Sequence, residues 1–219
     1  MISTVSMQRF DCPMEKLYDL LEGGNFREAL RFYRNRLKKE KKIEDLANIA
    51  ACLYKLGKLD SADRLAIMAI RSGASNLENA YLVRANICLD QGNYRSAYKF
   101  YKSLLRSPLS IHALNGFAMI WERKNRQKQS MQILKQLILS HERDYRSHLY
   151  MGQYLIRIKA YKLAWPYIQE SIRLRPECID SLICAYQCSF ELKDNKTSRG
   201  IAKKLISLAP LEPTYYEYL

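Results

Sequence analysis

A small residue returns through this 219-residue chain at positions 29, 62, 97, 130, 164 and 198, at spacings of 33, 35, 33, 34 and 34. Each copy sits in the same short cassette: a turn residue, an aromatic or Leu two positions on, then the small residue three positions later. The clearest copies are Gly24, Phe26, Ala29, then Gly57, Leu59, Ala62, then Gly92, Tyr94, Ala97. Looser ones follow as Asn125, Gln127, Ser130, as Lys159, Tyr161, Ala164, and as Lys193, Asn195, Ser198. A period this regular marks an array in which one supersecondary unit stacks on copies of itself.

Each period has the same anatomy. An apolar helical stretch precedes the cassette, as with Ala80, Leu82, Val83, Ile87 and Leu89. A second follows it, as with Tyr98, Tyr101, Leu104 and Leu105, at i, i+3, i+4 spacing. The turn calls for Gly or Asn, because the first helix must end through a left-handed cap. The small residue marks the point where the two helices cross too closely for a larger side chain. Pro108, Pro176 and Pro210 stop the second helix of three units. Eight Gly and six Pro are few for a chain rich in tight turns, which again favours helices.

At these residues the sequence resembles the tetratricopeptide-repeat family. The fullest matches are the third unit (Ala85, Gly92, Tyr94, Ala97, Tyr101, Pro108) and the fifth (Met151, Gly152, Tyr161, Ala164, Ile172, Pro176). The resemblance covers about residues 10–210 as six units. It departs from the pattern at Ala118 where the family prefers Gly, at Ser130 and Ser198 for the small Ala, and at Pro166, early in a second helix. The implied fold is all-α, a right-handed superhelical solenoid of antiparallel helix pairs. The expected division is an N-terminal extension over 1–13, one solenoid over 14–210 and a short Tyr-rich tail or partial cap over 211–219.

In the family, first helices line a concave groove and second helices form the convex back. Carried over, this puts Asn86, Asn115, Arg123, Arg146, Tyr150, Gln153, Arg157 and Gln187 in the groove as the expected partner-binding residues. Amides there can satisfy the backbone of an extended peptide, and Arg can hold a carboxylate as a fork. The family's five-residue clamp for acidic chaperone tails maps onto Leu82, Asn86, Gly116, Arg146 and Tyr150. Only Asn86 and Arg146 fit it, so a chaperone-tail cofactor is not the expectation.

The chain carries 36 Lys and Arg against 22 Asp and Glu, a net +14, which invites an acidic partner. From Lys102 to Arg175 there are 14 basic and 4 acidic residues. A second basic run, Arg27 to Lys42, has Phe32 and Tyr33 interleaved, as a nucleic-acid patch would. Phe32, Tyr33 and Leu37 have the spacing of core contacts, however, and the polar positions of the units do not repeat as a base-reading code would require. Nucleic acid is therefore not the expected partner, and a basic regulatory or nucleic-acid-binding solenoid stays a distant alternative.

No catalytic constellation is visible. His112, His141 and His148 lack metal-ligand spacing, and there is no phosphate loop or nucleophile elbow. The six Cys read as buried small hydrophobes, and no metal or cofactor is expected. With no apolar run near the ~18 residues of a membrane span and no signal-peptide pattern at the N-terminus, the expected setting is cytoplasmic. The Tyr-rich C-terminus folds back over the open end of the array, or leaves that end to a second copy or another protein, or the chain is a fragment of a longer array. The expectation is a non-enzymatic scaffold or adaptor that binds a partner segment, an acidic one, in its groove. The alternative is a structural subunit of a larger assembly that uses edges and the convex face.

Overall fold

The computed structural model describes residues 25–73, 77–210 and 213–218. The expected N-terminal extension, Gly24 and the first helix of the first unit lie outside them. The described residues form eleven α-helices: α1 Phe26–Glu40, α2 Asp45–Lys55, α3 Leu59–Arg71, α4 Glu78–Asp90, α5 Tyr94–Ser103, α6 Ser110–Arg123, α7 Gln127–Ser140, α8 Tyr145–Arg157, α9 Tyr161–Leu174, α10 Ile179–Glu191 and α11 Asn195–Leu208. A 3-10 helix, Pro213–Tyr218, follows.

The cassettes shape the pairs. Every described cassette turn is left-handed, with φ of 72° at Gly57, 75° at Gly92, 56° at Asn125, 60° at Lys159 and 61° at Lys193. Gly and Asn adopt this region readily, whereas a lysine there carries strain. The backbone repeats even where the residue suited to it does not. Side-chain caps reinforce three helix starts: Asn93 accepts from the Ser96 amide, Asp144 from Arg146 and Asp194 from Thr197. The small residues lie at the crossings as expected, with Ala29, Ala62, Ala97, Ser130 and Ala164 fully buried and Ser198 nearly so. Pro166 sits inside α9, which runs through it unbroken.

Two layers result. The first helices α2, α4, α6, α8 and α10 pack side by side in sequence; α3, α5, α7 and α9 each pack on their own first helix and on the next one, while α1 packs on α2 and α11 on α10. Neighbours that touch form the shorter arc, so the array curves with the first helices on its inner side. This is a helical-repeat solenoid of antiparallel pairs.

The core runs along the array as a chain of clusters, with Leu53, Tyr101, Leu134, Tyr154 and Ile168 among its fully buried side chains. Close approach is built in at two glycines. A Cβ on Gly152 would overlap Ile168 of α9, and one on Gly116 would overlap the ring of Tyr101 in the preceding unit. At the C-terminal end Tyr215 is buried against Ile179, Leu182 and Leu205, and the Tyr218 ring stacks on Tyr186 at 4.1 Å. The tail thus packs back onto the last helix pair.

Among the basic residues of α1, Arg36 turns inward. Its guanidinium forks onto Asp45, fully buried at the start of α2, with Nε 2.7 Å from Oδ2 and a second contact from Nη2 to Oδ1. It also lies 5.5 Å from the ring centres of Phe32 and Tyr33, both packed in the core as their spacing implied.

Candidate functional site

All eight expected groove residues lie on inner helices: Asn86 on α4, Asn115 and Arg123 on α6, Arg146, Tyr150, Gln153 and Arg157 on α8, and Gln187 on α10. The structure does not leave them equally available. Asn86 is half-buried and accepts a 2.6 Å hydrogen bond from the hydroxyl of Tyr101. Asn115 directs its amide to the Met119 sulfur at 3.7 Å. Arg123 and Gln187 are exposed, and Arg123 has no ion pair among the described residues.

The four α8 residues have internal partners. Arg146 forks onto Asp144, its Nε 2.9 Å from Oδ1 and its Nη2 2.6 Å from Oδ2, while Asp144 also caps the helix through the Arg146 amide. Burial alone would raise the Asp144 carboxyl, but these bonds outweigh it and hold the group below its ordinary value. Arg157 forks onto Glu122 of α6 with both contacts at 2.8 Å. The Tyr150 hydroxyl hydrogen-bonds Nδ1 of His112 on α6. Burial pushes Tyr150 above its usual range and lowers His112 to about 4, so a neutral imidazole meets a protonated phenol. Burial pushes the Cys184 thiol of α10 up to about 12, and the nearby side chain of Gln153 opposes that rise.

Apart from Asp144–Arg146, which stays at the start of α8, these contacts form polar rungs joining successive inner helices, together with Asn48–Asn79 at 2.8 Å and Tyr54–Asp90 at 3.1 Å between α2 and α4. Rung partners lie 31 to 38 residues apart, about one repeat period. His112, Glu122 and Cys184 were not among the expected site residues, yet the period itself points to them: partners on neighbouring inner helices must be one unit apart.

Charge separates by layer. The six described second helices hold 19 Lys and Arg against 5 Asp and Glu. The five first helices hold 5 against 6. The inner face is therefore close to neutral, and the surplus lies on the outer layer. Among the described residues no group of three or more His, Cys, Asp or Glu is arranged to hold a metal ion, and no helix is long and apolar enough to cross a membrane.

No family model matches the chain, and no curated protein matches it. Solved structures do. A thermophilic TPR protein of Thermus thermophilus has a TM-score of 0.66 at 17% identity, over 80% of this chain and 96% of that one. The APC/C hetero-tetramer Cut9–Hcn1 gives a TM-score of 0.61 at 11% identity, covering 97% of this chain and 42% of that chain. PilF of Pseudomonas aeruginosa gives 0.51 at 17% identity, over 94% of each. At such identities the likeness is one of fold.

Proposed function

The chain has the tetratricopeptide-repeat fold, and on that premise we propose that it is a non-enzymatic scaffold whose inner face holds an extended segment of a partner protein. The observation that carries this reading is the set of rungs. They fix the inner helices before any partner arrives, so little receptor entropy is lost on binding. Asn115, Arg123 and Gln187 then stand along the inner helices as polar groups for a partner's backbone and side chains. An acidic segment is favoured at Arg123, which lacks an internal carboxylate. Arg146 and Arg157 would contribute by exchanging Asp144 and Glu122 for the partner's carboxylates. Cys52, Cys88, Cys184 and Cys188 are buried and free, which supports a reducing, cytoplasmic setting.

Site-specific photo-crosslinking in native lysate tests the proposal. A crosslinking residue at Asn115 or Gln187 is expected to give discrete protein adducts, and one at the outer-layer positions Gln129 or Lys203 is not. Adducts from the outer positions alone would overturn it.

A further inference from the structure

Phe117, Ile120, Trp121 and Lys124 share one face of α6 and its C-terminal end, opposite the face that carries Asn115 and Met119. Between that face and α5 lies a cleft of about 450 Å³. Its apolar wall is Phe117 and Trp121, and Tyr98 of α5 closes it, with its ring 4.9 Å from that of Phe117. Tyr98 is 51% exposed, and among the described residues it is the one strongly exposed aromatic on a second helix. Lys124 lies over Trp121 and Tyr94, at 5.7 and 5.8 Å from the ring centres.

The rim is cationic. Arg95, Lys99 and Lys102 lie at i, i+4 and i+7 along α5, so they form one row. None of the three has an ion pair among the described residues, and no carboxylate lines the cleft. Like charges in a row repel one another, and an anion placed across them relieves that repulsion.

We propose that this outer cleft docks an acidic protein segment carrying one aromatic residue: the ring enters between Tyr98 and Trp121, and its flanking carboxylates meet Arg95, Lys99 and Lys102. An aromatic anchor in an apolar pocket with a charged rim is the arrangement that concentrates binding energy in few contacts. Single-stranded nucleic acid needs a track of open ring faces for successive bases. The equivalent cleft one unit earlier, between α3 and α4, is lined by Asp60, Asp63 and Asp90 and presents no ring, and Tyr98 already has Phe117 against it. This surface is distinct from the inner groove and survives or fails independently of it.

The test uses the full chain and fluorescence anisotropy with a labelled twelve-residue peptide of Glu and Asp with one central Trp. Saturable binding is expected, weakened about tenfold or more by Trp to Ala in the peptide or by Tyr98→Ala in the protein, the scale of a hot-spot truncation. Lys99→Glu should weaken it about tenfold, whereas Lys135→Glu on α7 should change it less than about twofold, as expected for a charge remote from the site. Equal losses from Lys99→Glu and Lys135→Glu would reduce the site to diffuse attraction and overturn it. So would the absence of saturation, or tighter, Tyr98-dependent binding of a single-stranded twelve-nucleotide oligouridylate, which would assign the cleft to nucleic acid.

Discussion

The inner and outer layers are built from helices of similar length by the same cassette, yet they treat charge in opposite ways. Inner helices touch a neighbour on each side, so a polar group there is drawn into a rung, as with Glu122–Arg157, or into its own helix cap, as with Asp144–Arg146. Outer helices have no such lateral closure and meet water, where an unpaired cation is screened and costs little. The charge surplus accumulates on the outer layer, while the inner helices leave few cations unpaired, Arg123 among them. The sharpest exception is Arg36, which belongs to an outer helix but points inward onto a buried carboxylate, much as Asp63 of α3 meets Arg84 of α4.

Breaking that exception should give the largest effect. Arg36→Ala leaves Asp45 buried without its partner, which is expected to cost about 3–5 kcal/mol of stability. Arg34→Ala, two residues away and exposed, should stay within about 0.5 kcal/mol. Urea midpoints of the two variants make the comparison, and equal midpoints would mean that Arg36 is solvated like its neighbours.

Acid attacks the inner layer next. His112 is lowered to about 4 by burial first, then by the charges of Arg146 and Lys55, with Asp144 opposing. The folded state therefore prefers the neutral ring, and the unfolded chain binds the extra proton between about pH 6.5 and 4. This stability is complete above about pH 6.5 and is lost as pH falls toward 4, amounting to roughly 3 kcal/mol at the limit. His112→Gln should flatten the stability profile in that window. An unchanged slope would assign the titration elsewhere.

The period, the helix pairing and the six crossing residues were legible in the sequence because backbone geometry admits few residues at those points. Ala97 or Ala164 cannot be larger, and Gly57 or Gly92 takes a φ that disfavours a side chain. The candidate groove was legible only as a list of positions. Which of its groups are occupied depends on the register between units, and no local pattern shows that Arg157 finds Glu122 or that Tyr150 finds His112. The spacing of Tyr98 places it with Tyr101 and Leu104 on the apolar stripe, yet it is exposed, and that exposure follows from the gap between α5 and α6. The lysine turns at 159 and 193 ran the other way: the period alone assigned them a left-handed conformation that their side chains argue against.

Gly116 links the layers, and substituting it should have a middling effect. Its missing Cβ makes room for the ring of Tyr101, whose hydroxyl holds Asn86 on the inner face. Gly116→Ala forces that buried ring aside and should cost about 1–3 kcal/mol, the range of overpacked cores. Gly200→Ala on α11 meets nothing within 4 Å and should stabilise by up to about 1 kcal/mol through helix propensity alone. Thermal denaturation of the pair reads opposite shifts. A neutral Gly116→Ala would show that Tyr101 has another place to go, and that the coupling between layers is soft.

The smallest effect is expected at the turns, where neither layer's chemistry is involved. Lys159 and Lys193 hold φ near 60° with a Cβ present, whereas Gly57 and Gly92 hold a wider φ without one. Lys159→Gly removes the strain of a left-handed lysine, worth roughly 1–2 kcal/mol. It also gives the unfolded chain more freedom, which takes back part of that gain, about 0.4–1 kcal/mol. The net should be a stabilisation of under about 1 kcal/mol, with Lys159→Asn somewhat smaller because its side chain tolerates this region without the full freedom of glycine. Gly57→Ala should lose stability by a comparable amount, since it creates at the second unit the strain that the fifth already carries. If Lys159→Gly instead destabilises, the lysine side chain supplies a compensating interaction on the outer edge. The turn would then belong to the cationic outer layer and not to the uncharged frame that both layers share.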